Sequence, residues 1–462
     1  MGLKIFEISL KELNNHKYLR LDEKFWYTTK NLVVYNYIFL KDLFNLINGN
    51  SYTEYYTEEQ TDNPYIRIHN LTFKYDINDN DIVYLDESCK INEEKRLKKD
   101  DLVLATIGAT IGKINLAREF KGGTFSNNTI VLRLKNKENH NAYFYEKFFQ
   151  YNLLQKYIWG VVSQKAQPNL QSYDIKNIKI PIISKKNQDK IVIKIKPIEN
   201  KIKKQKIQII PTQEIINKVF AKEFEFDLEK FEILKKEKFF EMEINKIDTP
   251  LIRSTVIQNK SSSNFLKLFL FKNSIFLKDI IINKIKRGKQ PEYVDNGVKV
   301  IKTMNIQDGK VIFDDVQYVS ESFFEQNKEK AAIYTNDLLL TSTGMGRGKF
   351  ALYEDKESCF ADSHISIIKF KQELFIPNFL NYYCQSFLGT EQLKYIEMQI
   401  KGTPEIYEEQ LNYFQIPNIS IFRQQEIVDE IKAELDKQEE IKQKIICLRN
   451  LIDLIIEQFI NL

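Results

Sequence analysis

Apolar positions along the chain follow two rhythms. Short runs rich in Tyr, Phe, Ile and Val occur at residues 65–68, 102–106 and 130–134, and again at 298–303, 338–342 and 364–370. Gly or Asn-Asp clusters separate them, so they predict strands. Residues 143–159 and 377–388 carry a helical spacing. After Ile180-Pro181 and Ile416-Pro417 the pattern changes. Ile427, Ile431, Leu435, Ile441, Ile445, Leu448, Ile452, Ile455 and Phe459 then recur at steps mostly of three or four. That is the seam of a long helix packing on one partner. A helix over 424–459 would be about 54 Å long. Ile191, Ile195, Ile198, Ile202 and Ile209 repeat the seam earlier, where Pro197 and Pro211 predict a kink or break.

The two halves repeat each other. Ile38-Phe39-Leu40-Lys41-Asp42 returns as Ile275-Phe276-Leu277-Lys278-Asp279. Asp101-Leu102-Val103-Leu104, followed by Thr106 and Gly108, returns 236 residues later as Asp337-Leu338-Leu339-Leu340, followed by Ser342 and Gly344. Gly112-Lys113 matches Gly348-Lys349, Pro168 matches Pro404, Gln188 matches Gln424, and Ile191-Val192 matches Ile427-Val428, all at that offset. A fainter echo pairs Phe6-Glu7 with Phe240-Glu241. A string of matches at nearly one offset means a tandem duplication of a unit of about 235 residues.

With 462 residues the chain has ample length for two domains and their connectors. Its 68 Lys and Arg against 63 Asp and Glu leave a balance of +5, which a compositional bias toward Lys, Ile and Asn would also explain. The sum hides an asymmetry. Residues 185–206 hold nine Lys and two acids, whereas 425–444 hold seven acids and four Lys. Opposite charges beside two apolar seams predict that these helical regions prefer each other; a solvated Lys-rich face is the alternative. Residues 1–10 carry Lys4 and Glu7 inside their apolar stretch and do not read as a signal peptide, and 265–277 is too short to span a bilayer. The expectation is a soluble, cytoplasmic protein with no membrane partner.

Reactive groups are scarce. Four Cys and four His show no Cys-x-x-Cys or His-x-x-x-His spacing, so neither a disulfide framework nor a zinc module is expected. His16, His69, His140 and His364 are scattered, and Cys359 and Cys384 read as buried or incidental thiols. Gly108 to Lys113 and Gly344 to Lys349 invite comparison with a phosphate-binding loop, but the first has three residues between its outer glycines, and Ile114 or Phe350 stands where Ser or Thr should meet magnesium. Asn63-Pro64-Tyr65 lacks the second proline of an amino-methyltransferase loop. The expected outcome is a non-catalytic chain without a cofactor or metal of its own.

Three groups of residues could bind nucleic acid. In the Gly-Lys loops, glycines admit close approach of a phosphate and Lys113, Arg347 and Lys349 supply charge; a hairpin the fold requires is the other reading. Lys284, Lys286, Arg287, Lys289 and Gln290 follow the strand or helix at 275–282, where the first copy carries Asn48, Gly49, Asn50, Ser51 and Tyr52. Amide, hydroxyl and guanidinium groups read base edges and phosphates. Gln164, Lys165 and Gln167, with Lys401 and Thr403, form the third pair, and Arg67 and Lys302 are candidates beside the first strands of the two copies. For each residue singly, ordinary surface polarity is an alternative.

Two copies of Asp-Leu-(Val/Leu)-Leu-x-(Thr/Ser)-x-Gly, then Gly-Lys, Ile-Pro, Gln and Ile-Val opening a helix, resemble the specificity (S) subunits of type I restriction-modification systems. The resemblance implies an α+β fold in which a mixed α/β target recognition domain is duplicated. Each copy is followed by a long helix, and the two helical regions pack as an antiparallel coiled coil. It places target recognition domains at 1–182 and 247–418, a central spacer at 183–246 and a C-terminal spacer at 419–462. It further implies double-stranded DNA, two methyltransferase (M) subunits and motor-nuclease (R) subunits as partners, with S-adenosylmethionine, ATP and Mg on those subunits. Two rivals remain: a stand-alone DNA-binding or scaffold protein, and a catalytic methyltransferase, which the missing motifs disfavour.

Overall fold

The computed structural model describes residues 36–162, 168–233 and 273–460, apart from 75, 80, 230, 231, 345, 397, 401 and 402. It divides into two compact units, 1–207 with 443–462, and 208–442. The Phe6-Glu7 and Phe240-Glu241 echo lies outside the described residues.

In the first unit, strands β1 (Tyr37–Phe39) to β10 (Lys179–Pro181) enclose β2 (Phe44–Asn48), β3 (Tyr56–Thr57), β4 (Pro64–Ile66), β5 (Val83–Leu85), β6 (Leu102–Ala105), β7 (Ile114–Leu116), β8 (Thr124–Phe125) and β9 (Thr129–Leu134). They form sheets β2-β9-β6-β7 and β3-β5-β4-β8, with β1 paired to β10. β6 is buried at every position, so both faces of the first sheet's centre meet apolar atoms. Helix α1 (Leu40–Leu43) follows β1, and residues 143–159, expected as one helical stretch, form α2 (Ala142–Gln150) and α3 (Asn152–Val161), divided at Tyr151, whose backbone is extended. Phe44 meets Tyr145 and Phe149 edge-on at 5.2 and 6.5 Å, fastening α2 to the sheet. Helix α4 (Ser172–Lys176) leads into β10 and then α5 (Lys185–Lys206).

The second unit begins with α6 (Thr212–Glu223) and then rebuilds the same plan. β11 (Ser274–Phe276), α7 (Leu277–Ile280), β12 (Lys286–Arg287), β13 (Tyr293–Val294), β14 (Val298–Ile301), β15 (Ile306–Gln307), β16 (Gly309–Val311) and β17 (Gln317–Val319) come first. Helix α8 (Glu321–Ala331), β18 (Ala332–Ile333), β19 (Leu338–Thr341), β20 (Phe350–Leu352), β21 (Cys359–Ala361) and β22 (Ile365–Ile368) follow. The sheets run β12-β22-β19-β20-β16-β15 and β13-β17-β14-β21-β18. Helices α9 (Pro377–Gln385), α10 (Phe387–Ile396) and α11 (Glu408–Leu411) precede the closing strand Gln415–Pro417. Register repeats with topology: Ile38 faces Ile180, and Ile275 faces Ile416. The parallel pair Ile66 with Phe125 returns as Ile301 with Ala361.

The motif Asp repeats as a buried turn anchor. Asp101 accepts from the Lys98 amide and from Arg133 (2.7 Å each), and Asp337 accepts from the Tyr334 amide (2.8 Å) and from Lys369 (2.7 Å). The repeated Gln is buried in both copies. Gln188 accepts from the Asn141 amide at 2.8 Å and donates to the Ile183 carbonyl at 2.8 Å; Gln424 accepts from the Ile376 amide at 2.8 Å and donates to the Ile419 carbonyl at 3.0 Å. Each Gln thereby joins the start of a spacer helix to the start of a domain helix.

The last helix, α12 (Ile421–Ile460), runs unbroken for 40 residues. In the first unit, Lys194 of α5 stands over the Phe459 ring (5.2 Å), and Glu199 senses Arg449. Within the second, Arg423 holds Glu223, Lys222 holds Glu430 (2.7 Å), and the Ile210 amide donates to Gln438 (2.9 Å). Residue numbers fall on one helix as they rise on the other, so each pairing is antiparallel. This register corrects the expected charge matching. The Lys-rich 185–206 pairs with 443–460, and the acidic start of α12 pairs with α6. Pro197 does not end its helix: Pro197 and Ile193 are both exposed, so the Ile193 carbonyl that lacks a donor lies on the wet side. The break comes at Pro211, which caps α6.

Candidate nucleic-acid interface

The Gly-Lys elements are β-hairpins, β6 to β7 and β19 to β20, and not the strand-loop-helix a nucleotide would need. The Ala105 amide donates to the Lys113 carbonyl (2.9 Å) and the Thr341 amide to the Lys349 carbonyl (3.0 Å). Gly112 and Gly348 sit at φ of +88° and +82°, backbone that side chains rarely adopt. Gly348→Ala should cost about 1–2 kcal/mol from that conformation alone. Gly112→Ala should cost more, because its Cβ would also stand 2.5 Å from Gln155 Oε1, whereas at Gly348 the nearest atom is 3.7 Å away. Thermal unfolding of the two variants checks the order. Lys113 lies 5.7 Å from the Phe73 ring, Arg347 donates to the Gly344 carbonyl (3.3 Å), and Lys349 is exposed at the turn.

Backbone hydrogen bonds gather a set of loops at one rim of each unit. In the first unit the Asn50 amide donates to Phe125, Ser126 to Ile66, Thr106 to Asn128 and Leu170 to Thr106. The second unit repeats this with Lys289 to Ala361, Asp362 to Ile301, Ser342 to His364 and Ile406 to Ser342. Gly49 and Gly288 make the crowding possible: a Cβ would fall 2.0 Å from the Ser126 carbonyl and 2.3 Å from the Ala361 carbonyl.

What the rims carry differs. On the second, Lys289 donates to Asn327 (2.7 Å) above the Phe323 ring, and Lys302 bonds Gln317 above the Tyr293 ring. Ser363 donates to Gln290 (3.3 Å), and His364, exposed, bonds Thr343. On the first, Lys95 donates to the Asn50 carboxamide oxygen, and Arg67 donates to the Asp81 carbonyl (2.8 Å). Asn127 and Asn128 stand where the second unit has Ser363 and His364. These turn residues were missed from sequence, although the 236-residue offset aligns them.

Several expected contacts take inward roles. Tyr52 is a core residue, edge-on to Tyr65 at 5.9 Å, and packing rather than ligand contact accounts for its position. Arg287 spends its fork on Glu405, Glu408 (2.8 Å) and the Ile406 carbonyl (2.9 Å), and its hydrogen bond holds the Glu405 carboxyl below the usual carboxylate range. Lys286 reaches the Glu329 carbonyl (2.5 Å). An open groove of about 550 Å³ there is lined by Lys284, Lys286 and Lys330 with Glu329 and Glu409 opposing them, a mixed charge that favours no simple anion. Lys165, Gln167 and Lys401 lie outside the described residues. Asn63 accepts from Arg96 (3.1 Å), a structural contact. Among the described residues no cluster of His, Cys, Asp and Glu could hold a metal, and no helix is long and apolar enough to cross a membrane. Cys89, Cys359 and Cys384 are buried free thiols.

Residues 33–212 match the model of the type I restriction modification DNA specificity domain. The chain is 23% identical over 362 residues, 76% of each protein, to the type I restriction enzyme MjaVIII specificity subunit of Methanocaldococcus jannaschii. Among solved structures it is similar to the S subunit of a type I restriction-modification system from M. genitalium, at 15% identity over 93% of this chain and 96% of that one, TM-score 0.40. A chain from a structure addressing complex assembly and conformational transition of the type I R-M system aligns at 14% identity over 92% of this chain and 97% of that one, TM-score 0.47.

Proposed function

We propose that this HsdS-like chain, a non-catalytic specificity subunit, reads a bipartite and asymmetric double-stranded DNA site, one half with each rim. The observation that carries this is the pairing of one framework with two different rims. Register, glycine placement and the buried Gln repeat, and Arg67 and Lys302 follow equivalent strands, whereas Asn50, Asn127 and Asn128 with Lys95 line the first rim and Lys289, Gln290, Ser363 and His364 the second. Lys113, Arg347 and Lys349 on the hairpins would hold phosphates, which fix position without reading sequence. Asn50, Asn127, Asn128, Gln290, Ser363 and His364 have the donors and acceptors that distinguish base edges. Lys165, Gln167 and Lys401 belong to the same proposal, because they stand a few residues from Pro168 and Ile406, whose backbones hydrogen-bond to Gly108 and Ser342 of the hairpins.

A duplicated chain offers two equivalent surfaces, so two methyltransferase subunits can bind alike. The antiparallel helices would set the half-site separation. Adenine flipping and methyl transfer, with S-adenosylmethionine, and any cleavage with ATP and Mg, would fall to M and R partners in the cytoplasm. Methylome sequencing of cells carrying and lacking this chain tests the reading. Loss of a two-part adenine mark with unlike halves is expected; no change in any such mark sinks it.

A further inference from the structure

The register leaves the most basic helix without a basic helix's expected partner. Across 443–460, the segment that α5 packs against, Lys444 and Arg449 are offset by Asp453 and Glu457. The acids once expected to balance α5 sit on the part of α12 that pairs with α6. Within α5, Asp189 is held by Lys185 (2.7 Å) and Asn141 (2.7 Å), and Glu199 by Lys147 (2.7 Å). Lys194 and Lys196 stand over aromatic rings, and Lys203 pairs with Asp76 (2.6 Å).

Lys206 is half-buried, and four lysines remain. Lys186, Lys190, Lys201 and Lys204 are exposed, and among the described residues none has a hydrogen-bond or ion-pair partner. At 3.6 residues per turn they fall within an arc of about 60° on the face opposite buried Ile191, Ile195 and Ile202. No acid shares that arc. The row is about 27 Å long, close to eight base-pair steps of B-DNA. A solvated lysine face normally interleaves acids to limit self-repulsion. A one-sign row on a rigid helix fits a linear polyanion.

We propose that this row on α5 contacts the phosphate backbone of the duplex between the two half-sites, so that the spacer helix is itself a sequence-independent DNA-binding surface. This rests on the bipartite reading above. It assigns to the first spacer a function beyond setting distance.

The test uses the full chain and a duplex carrying the methylome-defined site. In K186Q/K190Q/K201Q/K204Q, the slope of log affinity against log salt should shrink by about 3.6, since each phosphate contact contributes roughly 0.9. Preference for the site over one with a scrambled half should stay as in the wild type, and so should the melting temperature. Replacing the intervening phosphates by neutral methylphosphonates should weaken the wild type and leave the quadruple variant unaffected. Wild-type indifference to that replacement, or an unchanged salt slope in the variant, overturns the proposal while the site preference keeps the bipartite reading. Loss of a co-purifying acidic protein with the slope unchanged overturns it in favour of a protein partner. If the wild type prefers no duplex at all, both readings fall.

Discussion

Lys147→Met is expected to destabilise the first unit by about 3–5 kcal/mol, the cost of breaking a buried ion pair from one side. Lys147 is 2% exposed on α2, with its ammonium 2.7 Å from Glu199 of α5 and 3.3 Å from Glu146. Burial pushes the Lys147 ammonium below its ordinary range and the Glu199 carboxyl up to about 7, so the charged form of each depends on the partner beside it. Arg118 continues the network to Glu146 (2.7 Å) and Asp76 (2.8 Å). Remove the ammonium, and Glu199 is left buried beside Asp76 with its nearest cation gone. Denaturant unfolding followed through the first unit's transition measures the loss. A shift below about 1 kcal/mol would mean that the network is not what seats α5.

The second copy shows how the same seam is made without charge. Tyr382 and Leu435 occupy the positions of Lys147 and Glu199, and both pack against the apolar core of the second unit. Exchanging the pair together, Lys147→Tyr with Glu199→Leu, should recover most of the stability lost in Lys147→Met, because a packed apolar pair often equals or exceeds a buried ionic one. Failure of the double exchange to do better than the single change would show that the two seams have diverged in shape as well as in charge.

The second large effect is expected at the repeated glutamine. Gln424→Leu keeps the volume but strands the Ile376 amide and the Ile419 carbonyl in a buried setting. At about 1–3 kcal/mol for each unsatisfied group, and allowing for partial relaxation, the loss should be about 2–4 kcal/mol. Gln188→Leu should cost the first unit a similar amount, since it strands the Asn141 amide and the Ile183 carbonyl. Glutamate at either position should also fail. Its carboxylate could accept from the amide but could not donate to the carbonyl, and burial would add a desolvation cost. Unfolding of the four variants checks this; near-neutral leucine variants would mean that the helix starts do not need the joint.

Sequence periodicity and repeat spacing by themselves determined much of this protein. The duplication is written at an offset of 236, and the strands at 102–105, 129–134, 338–341 and 365–368 lie within a residue or two of the apolar runs that predicted them. The reason is physical: a strand buried on both faces needs nothing but apolar residues, and a duplicated core keeps them. The repeated Asp, Gln and Gly positions were legible as important, though not what they bonded. Tertiary structure alone decided three other matters. Whether a polar residue faces outward depends on its neighbours in space, and so Tyr52 turned into the core and Arg287 onto Glu405 and Glu408. Which charges cancel depends on helix register, which moved the Lys-rich 185–206 away from the acids that composition suggested. Whether Pro197 breaks its helix depends on which side of the helix its missing hydrogen bond falls, and there it falls toward water. Composition records which groups a chain owns, whereas partnership between groups distant in sequence is set only when the chain folds.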